Sequence, residues 1–215
     1  MVRLLILGGT GACGKAAVAA ALVHPKISRV FAPTRRALVP HAKLQNPVFA
    51  DDLLSVPDEC WKVDAVICTL GTTIKKAGSR AAFTAIDHDL PLAAARKAHA
   101  AGADTFALVS SIGASSPASF YLKTKADLEA AIASLGFASY TIVRPSLIAV
   151  DREEVRIGEA IGRALAKVID PLLPIQYRSV TPEQIAAKLL ETVLERRLGA
   201  RVIESDQLHS SKPGK

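Results

Sequence analysis

Residues 2–15, VRLLILGGTGACGK, decide the fold of this chain. The stretch begins with VRLLIL, a short apolar run whose length and side chains predict a buried β-strand. A glycine-rich loop, GGTGACG at residues 8–14, separates this strand from residues 15–23, which favour a helix. Such a loop lets the backbone approach a phosphate closely, and the helix start adds unpaired N–H groups and about half a positive charge.

Two kinds of phosphate-binding loop compete for this stretch. Gly8, Gly11 and Gly14 give the spacing G-x-x-G-x-x-G, a variant of the dinucleotide-binding pattern. Residues 9–15 also fit the G-x-x-x-x-G-K part of the loop that binds nucleoside triphosphates. That loop needs a following Ser or Thr to hold Mg²⁺, and Ala16 has no oxygen to offer. The pattern therefore favours a dinucleotide, with a triphosphate loop and a glycine turn without any ligand as the weaker alternatives.

Length and charge narrow the class of protein. The chain has 215 residues, which is enough for one α/β domain and too few for two complete ones. Its formal net charge of +7 suits an anionic ligand or surface. The basic residues are scattered, without a Lys/Arg run or interleaved aromatic residues, so we do not expect nucleic acid as a partner.

Cysteine and histidine usage bears on compartment and metals. Cys13, Cys60 and Cys68 form no C-x-x-C motif and cannot all pair within the chain, which is typical of a reducing compartment. The five histidines show no metal-ligand spacing, so no metal is expected. No run approaches the roughly 18 apolar residues of a membrane-spanning helix, and the N-terminal apolar run is too short for a signal peptide. We therefore expect a soluble, cytoplasmic protein without membrane association.

Short apolar strands alternate with longer helical stretches along the chain. After the first strand, further strands are predicted at residues 29–34, 48–50, 65–69, 105–109 and 139–143. A long helical stretch with Pro91 near a first turn ends at Gly102, and another covers residues 119–134. This alternation predicts an α/β fold, a doubly wound parallel sheet with helices on both faces.

The tail from residue 146 is too short for a separate domain, so residues 1–215 are predicted to form one domain with residues 146–215 as its lid and edge. Helical spacing of apolar residues predicts an amphipathic helix at residues 157–168, and residues 171–180 predict a loop. TPEQ at residues 181–184 supplies an N-cap, a proline at the first helical position and a capping-box glutamine. That helix should run to about residue 197, residues 202–203 add an edge strand, and the final SSKPGK is frayed.

The position that usually recognises the ribose of a dinucleotide carries no acid. An acidic residue about 20 positions beyond the glycines normally binds the ribose 2′-OH. Here that position is Thr34, and Arg35 and Arg36 follow it. A guanidinium group can instead bind a 2′-phosphate through two charge-assisted hydrogen bonds. The two arginines therefore favour NADP over NAD, the alternative being that both are solvated loop cations.

Tyr121 and Lys125 lie four positions apart in YLKTK and therefore on one face of a predicted helix. A free phenol has a pKa of about 10, and a nearby ammonium stabilises the phenolate, so the pair suits acid–base chemistry near neutral pH. Ser110 and Ser111 follow the fifth strand at the carboxyl end of the sheet, where ligands bind in such folds. A tyrosine and a lysine on a solvated helix face are common, so the pattern gains specificity only beside the serines and the glycine loop.

Several segments together resemble the short-chain dehydrogenase/reductase superfamily: GGTGACG, TRR, CTLGTT, VSSIGA, YLKTK and VRPSLI. More narrowly, the chain resembles the small, atypical members of the HIV Tat-interacting-protein oxidoreductase type and their bacterial relatives. The likeness runs from residue 2 to about residue 197, and it includes residues 70–78 and the segment DREEVRIGE at residues 151–159. It implies a Rossmann-like fold with a small C-terminal lid.

The resemblance also implies roles for individual residues. Tyr121 would be the catalytic acid/base, Lys125 would bind the nicotinamide ribose and favour ionisation of Tyr121, and Ser111, with Ser110 as the alternative, would position the carbonyl. The implied cofactor contacts are Gly8, Thr10, Gly11, Ala12 and Gly14 at the pyrophosphate, Arg35 and Arg36 at the 2′-phosphate, Asp52 and Leu53 beside the adenine, Leu70 and Gly71 at the adenosine side, and Pro145 at the nicotinamide. Ser111 lies ten residues before Tyr121, a shorter gap than the larger superfamily has.

The sequence therefore predicts an NADP(H)-dependent oxidoreductase that transfers hydride between nicotinamide and a small carbonyl or alcohol substrate. The alternative is an NADPH-binding sensor or regulatory protein, in which the cofactor stabilises a surface for a protein partner. The pair of Tyr121 and Lys125 favours the enzyme, because a pure sensor has no need of it.

Overall fold

The computed structural model describes residues 1–149, 170 and 173–209, and within them seven parallel strands form one sheet in the order β3-β2-β1-β4-β5-β6-β7. The strands are β1 (Val2–Leu7), β2 (Ile27–Phe31), β3 (Leu44–Gln45), β4 (Ala65–Cys68), β5 (Thr105–Val109), β6 (Ser139–Arg144) and β7 (Gly199–Glu204). The helices are α1 (Ala12–Val23), α2 (Ile74–Ala77), α3 (Arg80–Thr84), α4 (Leu90–Ala100), α5 (Phe120–Ala133), α6 (Pro182–Glu195) and α7 (Ser205–Leu208). The predicted Rossmann-like α/β fold is confirmed.

Three sequence predictions fall on residues outside the described part of the chain. They are the amphipathic helix at residues 157–168, the segment at residues 151–159 and the end SSKPGK. The loop predicted at residues 171–180 is described from residue 173 onward, where it contains a short 3₁₀ turn, Ile175–Tyr177.

Two apolar cores flank the sheet, because successive residues of a strand face opposite sides. In β1, Leu4 and Ile6 cluster with residues of α1 and α6, whereas Leu5 and Leu7 cluster with residues of α4 and α5. All four leucine and isoleucine side chains are fully buried. The sheet is therefore covered on both faces, which explains why its strands are continuous apolar runs rather than alternating ones.

The third strand lies earlier in the chain than predicted. β3 is Leu44–Gln45, which pairs with Val30 and Phe31 of β2. The predicted strand at residues 48–50 is wrong, since Val48 makes only an isolated bridge to Thr34. Pro47 gives the physical reason, because a residue without an N–H cannot continue the hydrogen-bond ladder.

The long helical stretch before Gly102 is divided into three helices and a π-helical turn. Gly78 ends α2 with a φ of +85°, and the Ser79 hydroxyl then caps α3 by accepting the Ala82 N–H at 3.1 Å. The π-helical turn spans Ala85–Asp89 and leads into α4, whose first turn contains Pro91 as predicted. Such turns insert an extra residue into a helix and are frequent at functional sites.

Within the described residues, the tail beyond β6 adds β7 to the sheet and supplies the helices α6 and α7. The Thr181 hydroxyl accepts the Gln184 N–H at 3.2 Å while the Gln184 side chain accepts the Thr181 N–H at 2.9 Å, so the predicted capping box is confirmed. α6 packs against α1 on one face of the sheet. The predicted edge strand is longer than expected, because β7 pairs with the whole of β6.

None of the helices in the described part of the chain is both long enough and apolar enough to cross a bilayer.

Leu128 anchors α5 to the sheet and is 1% exposed. We expect Leu128→Ala to lower the free energy of unfolding by about 3 kcal/mol, because it removes apolar contacts and leaves a cavity. Leu198→Ala is the matched control: Leu198 is 81% exposed, so its loss should change that free energy by less than about 0.5 kcal/mol. Urea denaturation followed by circular dichroism measures both, and equal losses would contradict the described packing of α5.

Candidate cofactor and active site

The glycine loop joins β1 to α1 through contacts that leave no room for side chains. Gly8 has a φ of +87°, and a Cβ at that position would lie 2.6 Å from Thr69 Oγ1. A Cβ at Gly14 would lie 2.1 Å from the carbonyl oxygen of Gly8. Real atoms do not approach so closely, so residues 8 and 14 have to be glycine. The start of α1 is thereby held against the end of β1 and beside the end of β4.

The first turn of α1 keeps its backbone donors free of side-chain caps. Its N-cap residue, Gly11, has no side chain, and no acidic residue lies in the first turn, which starts at Ala12. Thr10 is partly exposed in the preceding loop. A helix start with uncapped N–H groups and no carboxylate favours an anion.

A polar clamp shapes the turn that carries Arg35 and Arg36. Asn46 Nδ2 donates to the carbonyl oxygen of Ala32 at 2.5 Å and to Thr34 Oγ1 at 2.8 Å. The Thr34 hydroxyl in turn donates to the carbonyl oxygen of Arg36 at 2.6 Å. Both arginines are exposed, and among the described residues neither makes an ion pair. Their guanidinium groups are therefore available to an anion. Asn46 was not identified from the sequence.

The residues predicted to lie beside the adenosine are found in two loops. The Asp52 carboxylate caps a 3₁₀ turn by accepting the Leu54 N–H at 2.8 Å. Leu53 is 2% exposed and its side chain belongs to the core, so a ligand can reach only its backbone. Leu70 is partly buried against the same core, and Gly71 beside it is exposed.

Tyr121 and Lys125 lie on one face of α5, but at different depths. The Tyr121 ring is partly exposed and packs against Phe83, with 5.6 Å between the ring centroids. Lys125 is 4% exposed, and its Nζ lies 5.9 Å from the centroid of the Tyr121 ring. The structure therefore places a phenol at the surface and an ammonium group deeper in the protein.

Asp87, which the sequence analysis missed, pairs with this ammonium. Its Oδ1 lies 2.7 Å from Lys125 Nζ, and the two side chains are 0% and 5% exposed. Its Oδ2 accepts the Thr72 N–H at 2.8 Å. A Cβ at Gly71 would lie 3.3 Å from Asp87 Oδ1 and 3.6 Å from Lys125 Nζ, so Gly71 gives the pair its space. The one feature of the sequence that could have identified Asp87 is an aspartate within an otherwise helical stretch.

The two candidate serines differ in accessibility. Ser111 is partly exposed, and its hydroxyl makes only a long contact of 3.4 Å to the carbonyl oxygen of Ile112. Ser110 is 6% exposed, and its Oγ has no hydrogen-bond partner among the described residues. Pro145 is buried beside them, where its carbonyl oxygen accepts the Ile112 N–H at 2.9 Å. The ends of β5 and β6 therefore bring the Ser111 loop and Pro145 together.

An ionic network centred on the largely buried pair of Arg144 and Glu129 fixes the remainder of α5. Arg144 donates from Nε and Nη2 to the Glu129 carboxylate at 3.1 and 2.6 Å, and from Nη1 to Glu204 at 2.9 Å. The hydrogen bonds to Glu129 and, to a smaller extent, to Glu204 raise the pKa of Arg144, so Arg144 stays charged. The Tyr140 hydroxyl donates to the carbonyl oxygen of Glu129 at 3.3 Å, and burial raises the pKa of Tyr140. The helix that carries Tyr121 is thus tied to the ends of β6 and β7.

A groove of about 700 Å³ opens beside the Ser111 loop. Ile112 and Gly113 line it together with Tyr177 and residues 204–207. A Cβ at Gly113 would lie 3.2 Å from a methyl carbon of Leu122, the neighbour of Tyr121 on α5. The groove is therefore adjacent to the candidate catalytic helix.

The three cysteines are free and buried. Burial raises the pKa of Cys13 and of Cys68 to about 11, so both thiols stay protonated and unreactive at neutral pH. Cys13 is accordingly a small buried side chain beside the glycine loop. Within the described residues, no three His, Cys, Asp or Glu side chains gather as metal ligands.

Gly14→Ala tests the contact between strand and helix. The new Cβ would overlap the carbonyl oxygen of Gly8, so we expect the free energy of unfolding to fall by about 1–3 kcal/mol. Gly9→Ala is the matched control in the same loop, because its nearest neighbours lie at 3.4 Å and beyond. Chemical denaturation of the three proteins measures the difference. A stable Gly14→Ala protein with an unchanged midpoint would contradict the loop geometry.

Comparison with solved structures finds the same fold in other proteins. WbmG of Bordetella bronchiseptica, solved in complex with NAD, superposes with a TM-score of 0.69 at 15% identity over 95% of this chain and 73% of that one. An oxidoreductase of the short-chain dehydrogenase/reductase family from Burkholderia thailandensis gives a TM-score of 0.68 at 21% identity, over 97% and 93% of the two chains. No family model matches the sequence.

Curated relatives are more similar in sequence. Protein FMP52, mitochondrial, of Meyerozyma guilliermondii is 36% identical over 204 residues, which cover 90% of this chain and 86% of that protein. Protein fmp52, mitochondrial, of Emericella nidulans is 34% identical over 175 residues, covering 77% and 75%. Protein HTATIP2 of Rattus norvegicus is 34% identical over 166 residues, covering 74% and 68%.

These relatives correct the expected cytoplasmic location. The FMP52 proteins are named mitochondrial, which contradicts an assignment to the cytoplasm. The expectation rested on free cysteines and on the absence of a recognisable targeting segment. Free thiols are found wherever the surroundings are reducing, so they do not distinguish the cytoplasm from another reducing compartment.

Identity above 30% over more than two thirds of the relatives' length, together with the shared fold, settles the relationship. The chain belongs to the family of FMP52 and HTATIP2.

Proposed function

We propose that this protein is an NADP(H)-dependent oxidoreductase that transfers hydride between nicotinamide and a small carbonyl or alcohol substrate. The observation that carries the proposal is the partly exposed phenol of Tyr121 beside the buried ammonium of Lys125. A phenol placed near a fixed positive charge can both donate and accept a proton near neutral pH. The fold shared with WbmG, which was solved with NAD, supports a dinucleotide as the cofactor.

The described residues fit such a cofactor. Gly8, Gly11 and Gly14 bring bare backbone to the start of α1, and no carboxylate competes there for the donors. We propose that this loop, with Thr10 and Ala12, binds the pyrophosphate. Further contacts would come from the backbone around Asp52 and Leu53, from Leu70 and Gly71, and from Pro145. When bound, the nicotinamide supplies or accepts the hydride.

NADP is proposed over NAD because of the turn after β2. Arg35 and Arg36 are exposed there, and guanidinium groups bind a phosphate with paired, charge-assisted hydrogen bonds. The clamp formed by Asn46 and Thr34 holds the backbone of this turn in place. Both features support recognition of a 2′-phosphate.

In the proposed mechanism Tyr121 donates its phenolic proton to the carbonyl oxygen during reduction and recovers it during oxidation. Lys125 stabilises the phenolate by its charge. Ser111 is preferred over Ser110 as the hydrogen-bond donor to the substrate oxygen, because its side chain is partly exposed while that of Ser110 is buried.

Tyr121→Phe tests the assignment of the acid/base. We expect it to lower kcat for reduction of a reactive small carbonyl by at least about 100-fold, because the proton donor is lost. The Kd for NADPH should change by less than about threefold, because the phenol contributes little to cofactor binding. Steady-state kinetics and fluorescence titration measure the two quantities, with Tyr177→Phe as the matched control. If Tyr121→Phe has the same kcat as the wild-type protein, another group transfers the proton. If the wild-type protein binds NADPH but shows no turnover, the sensor is favoured over the enzyme.

Arg35→Ala tests the choice of cofactor. We expect the Kd for NADPH to rise about tenfold or more, because a charge-assisted hydrogen bond is lost. The Kd for NADH, which lacks the 2′-phosphate, should rise less than about twofold. Arg29→Ala is the matched control, because Arg29 is an exposed arginine within β2. Equal losses for both nucleotides would rule out recognition of the 2′-phosphate by Arg35.

A further inference from the structure

We propose that Asp87 is a positioning residue of this active site, the counter-ion that holds the Lys125 ammonium in place and limits how strongly its charge favours the phenolate of Tyr121. The catalytic consequence of this inference rests on the proposed function, in which Tyr121 exchanges the proton. The electrostatic part concerns only residues of this chain and can be measured without cofactor or substrate.

The ion pair is fixed from several sides. Asp87 and Lys125 are buried, with 2.7 Å between Oδ1 and Nζ. The other carboxylate oxygen of Asp87 accepts the Thr72 N–H, and the absence of a side chain at Gly71 leaves room for the pair. A buried charge that loses its partner is strongly unfavourable, so neither side chain moves away without cost. The pair therefore connects the loop after β4, the π-helical turn and α5.

The other charged groups near Lys125 are matched elsewhere. Glu129, one turn further along α5, is paired with Arg144. His88, beside Asp87, lies 2.8 Å from Asp89.

Cys68 on β4 also interacts electrostatically with the pair, but burial raises its pKa, so the thiol is neutral. Asp87 is thus the one negative charge among the described residues in direct contact with the Lys125 ammonium.

This arrangement has a consequence for proton transfer. An unpaired ammonium near a phenol strongly favours the phenolate, which is the proton acceptor. A carboxylate paired with that ammonium weakens its effect on the phenol without cancelling it. Asp87 therefore favours the protonated form of Tyr121, the form that donates a proton in carbonyl reduction.

The test is a spectrophotometric titration of phenolate absorbance in a Tyr177→Phe background. The chain has three tyrosines, and burial raises the pKa of Tyr140, so Tyr140 ionises at higher pH than an exposed phenol. The transition at lower pH therefore belongs to Tyr121. Asp87→Asn should move its midpoint to lower pH by about one unit, because the Lys125 charge is no longer compensated. An unchanged midpoint in a folded Asp87→Asn protein overturns the proposal.

Asp127→Asn is the matched control. Asp127 lies on the same helix and pairs with Lys123 at 2.9 Å, but both side chains are exposed. The same chemical change there should leave the Tyr121 midpoint in place, because solvent screens exposed charges. If Asp127→Asn shifts the midpoint as much as Asp87→Asn does, the midpoint depends on the net charge of the protein rather than on the buried pair of Asp87 and Lys125.

A second variant keeps the proposal testable if Asp87→Asn does not fold. Lys125→Met combined with Asp87→Asn removes both charges and leaves no unpaired ion in the interior. If Asp87 limits the effect of the Lys125 charge on the phenol, the midpoint should rise by clearly less than one unit relative to the background protein. If Asp87 does not act on Tyr121, loss of Lys125 raises the midpoint by about one unit, and the proposal is wrong.

The outcome is separable from that of the proposed function. Failure to bind NADPH would contradict the proposed function while leaving the titration shift intact. Conversely, normal turnover with an unshifted titration in Asp87→Asn would overturn only the role of Asp87. In active protein, the pH–kcat profile of Asp87→Asn should shift in the same direction as the titration.

Discussion

The contact between the carbonyl oxygen of Gly8 and the backbone of Gly14 is the constraint on which the rest of the structure depends. It sets how closely α1 approaches the end of β1, and it tolerates no side chain at either position. The Thr69 hydroxyl closes the same corner by donating to the carbonyl oxygen of Leu7 at 2.9 Å. The corner lies between β1 and β4, where the chain crosses from one half of the sheet to the other. Open parallel sheets form their ligand crevice at such a point.

The same edge of the sheet collects the remaining candidate groups. The loops after β4, β5 and β6 bring Gly71, Ser111 and Pro145 to one end of the molecule, because parallel strands all finish on the same side. α5 then supplies Tyr121 and Lys125 from the layer that covers one face. Its position is set by apolar packing at Leu128 and by the bonds from Arg144 to Glu129. Precise placement of a proton donor requires such support, since catalysis is sensitive to small displacements.

The sequence predicted the structure best where a feature depends only on residues that are close together in the chain. The glycine spacing, the apolar runs of β1 and β5 and the capping box at Thr181 all follow from backbone chemistry within a few residues. β3 was misplaced because its pairing with β2 depends on a turn that Asn46 and Pro47 close through tertiary contacts. Leu53 stays a predicted cofactor contact, but the burial of its side chain, which leaves only its backbone for a ligand, was not evident from the sequence.

Asp87 shows why part of the candidate site could not be predicted. An α-helix and a π-helical turn place different residues on the buried face, and the extra residue within Ala85–Asp89 is invisible to helical periodicity. Its partner, Lys125, lies 38 residues further along the chain. Lys125 is buried, although the charged residues around it in the sequence suggest an exposed helix face. The pairing of Asp87 with Lys125 is therefore a property of the assembled fold.

The most direct test of the account is calorimetric titration of the purified full chain with NADPH, NADH and ATP with magnesium. The loop around Gly8 and Gly14, with Ala16 in place of a metal-binding hydroxyl, predicts binding of a pyridine nucleotide and no binding of ATP. Binding of ATP with magnesium, together with no heat from either pyridine nucleotide, would contradict it.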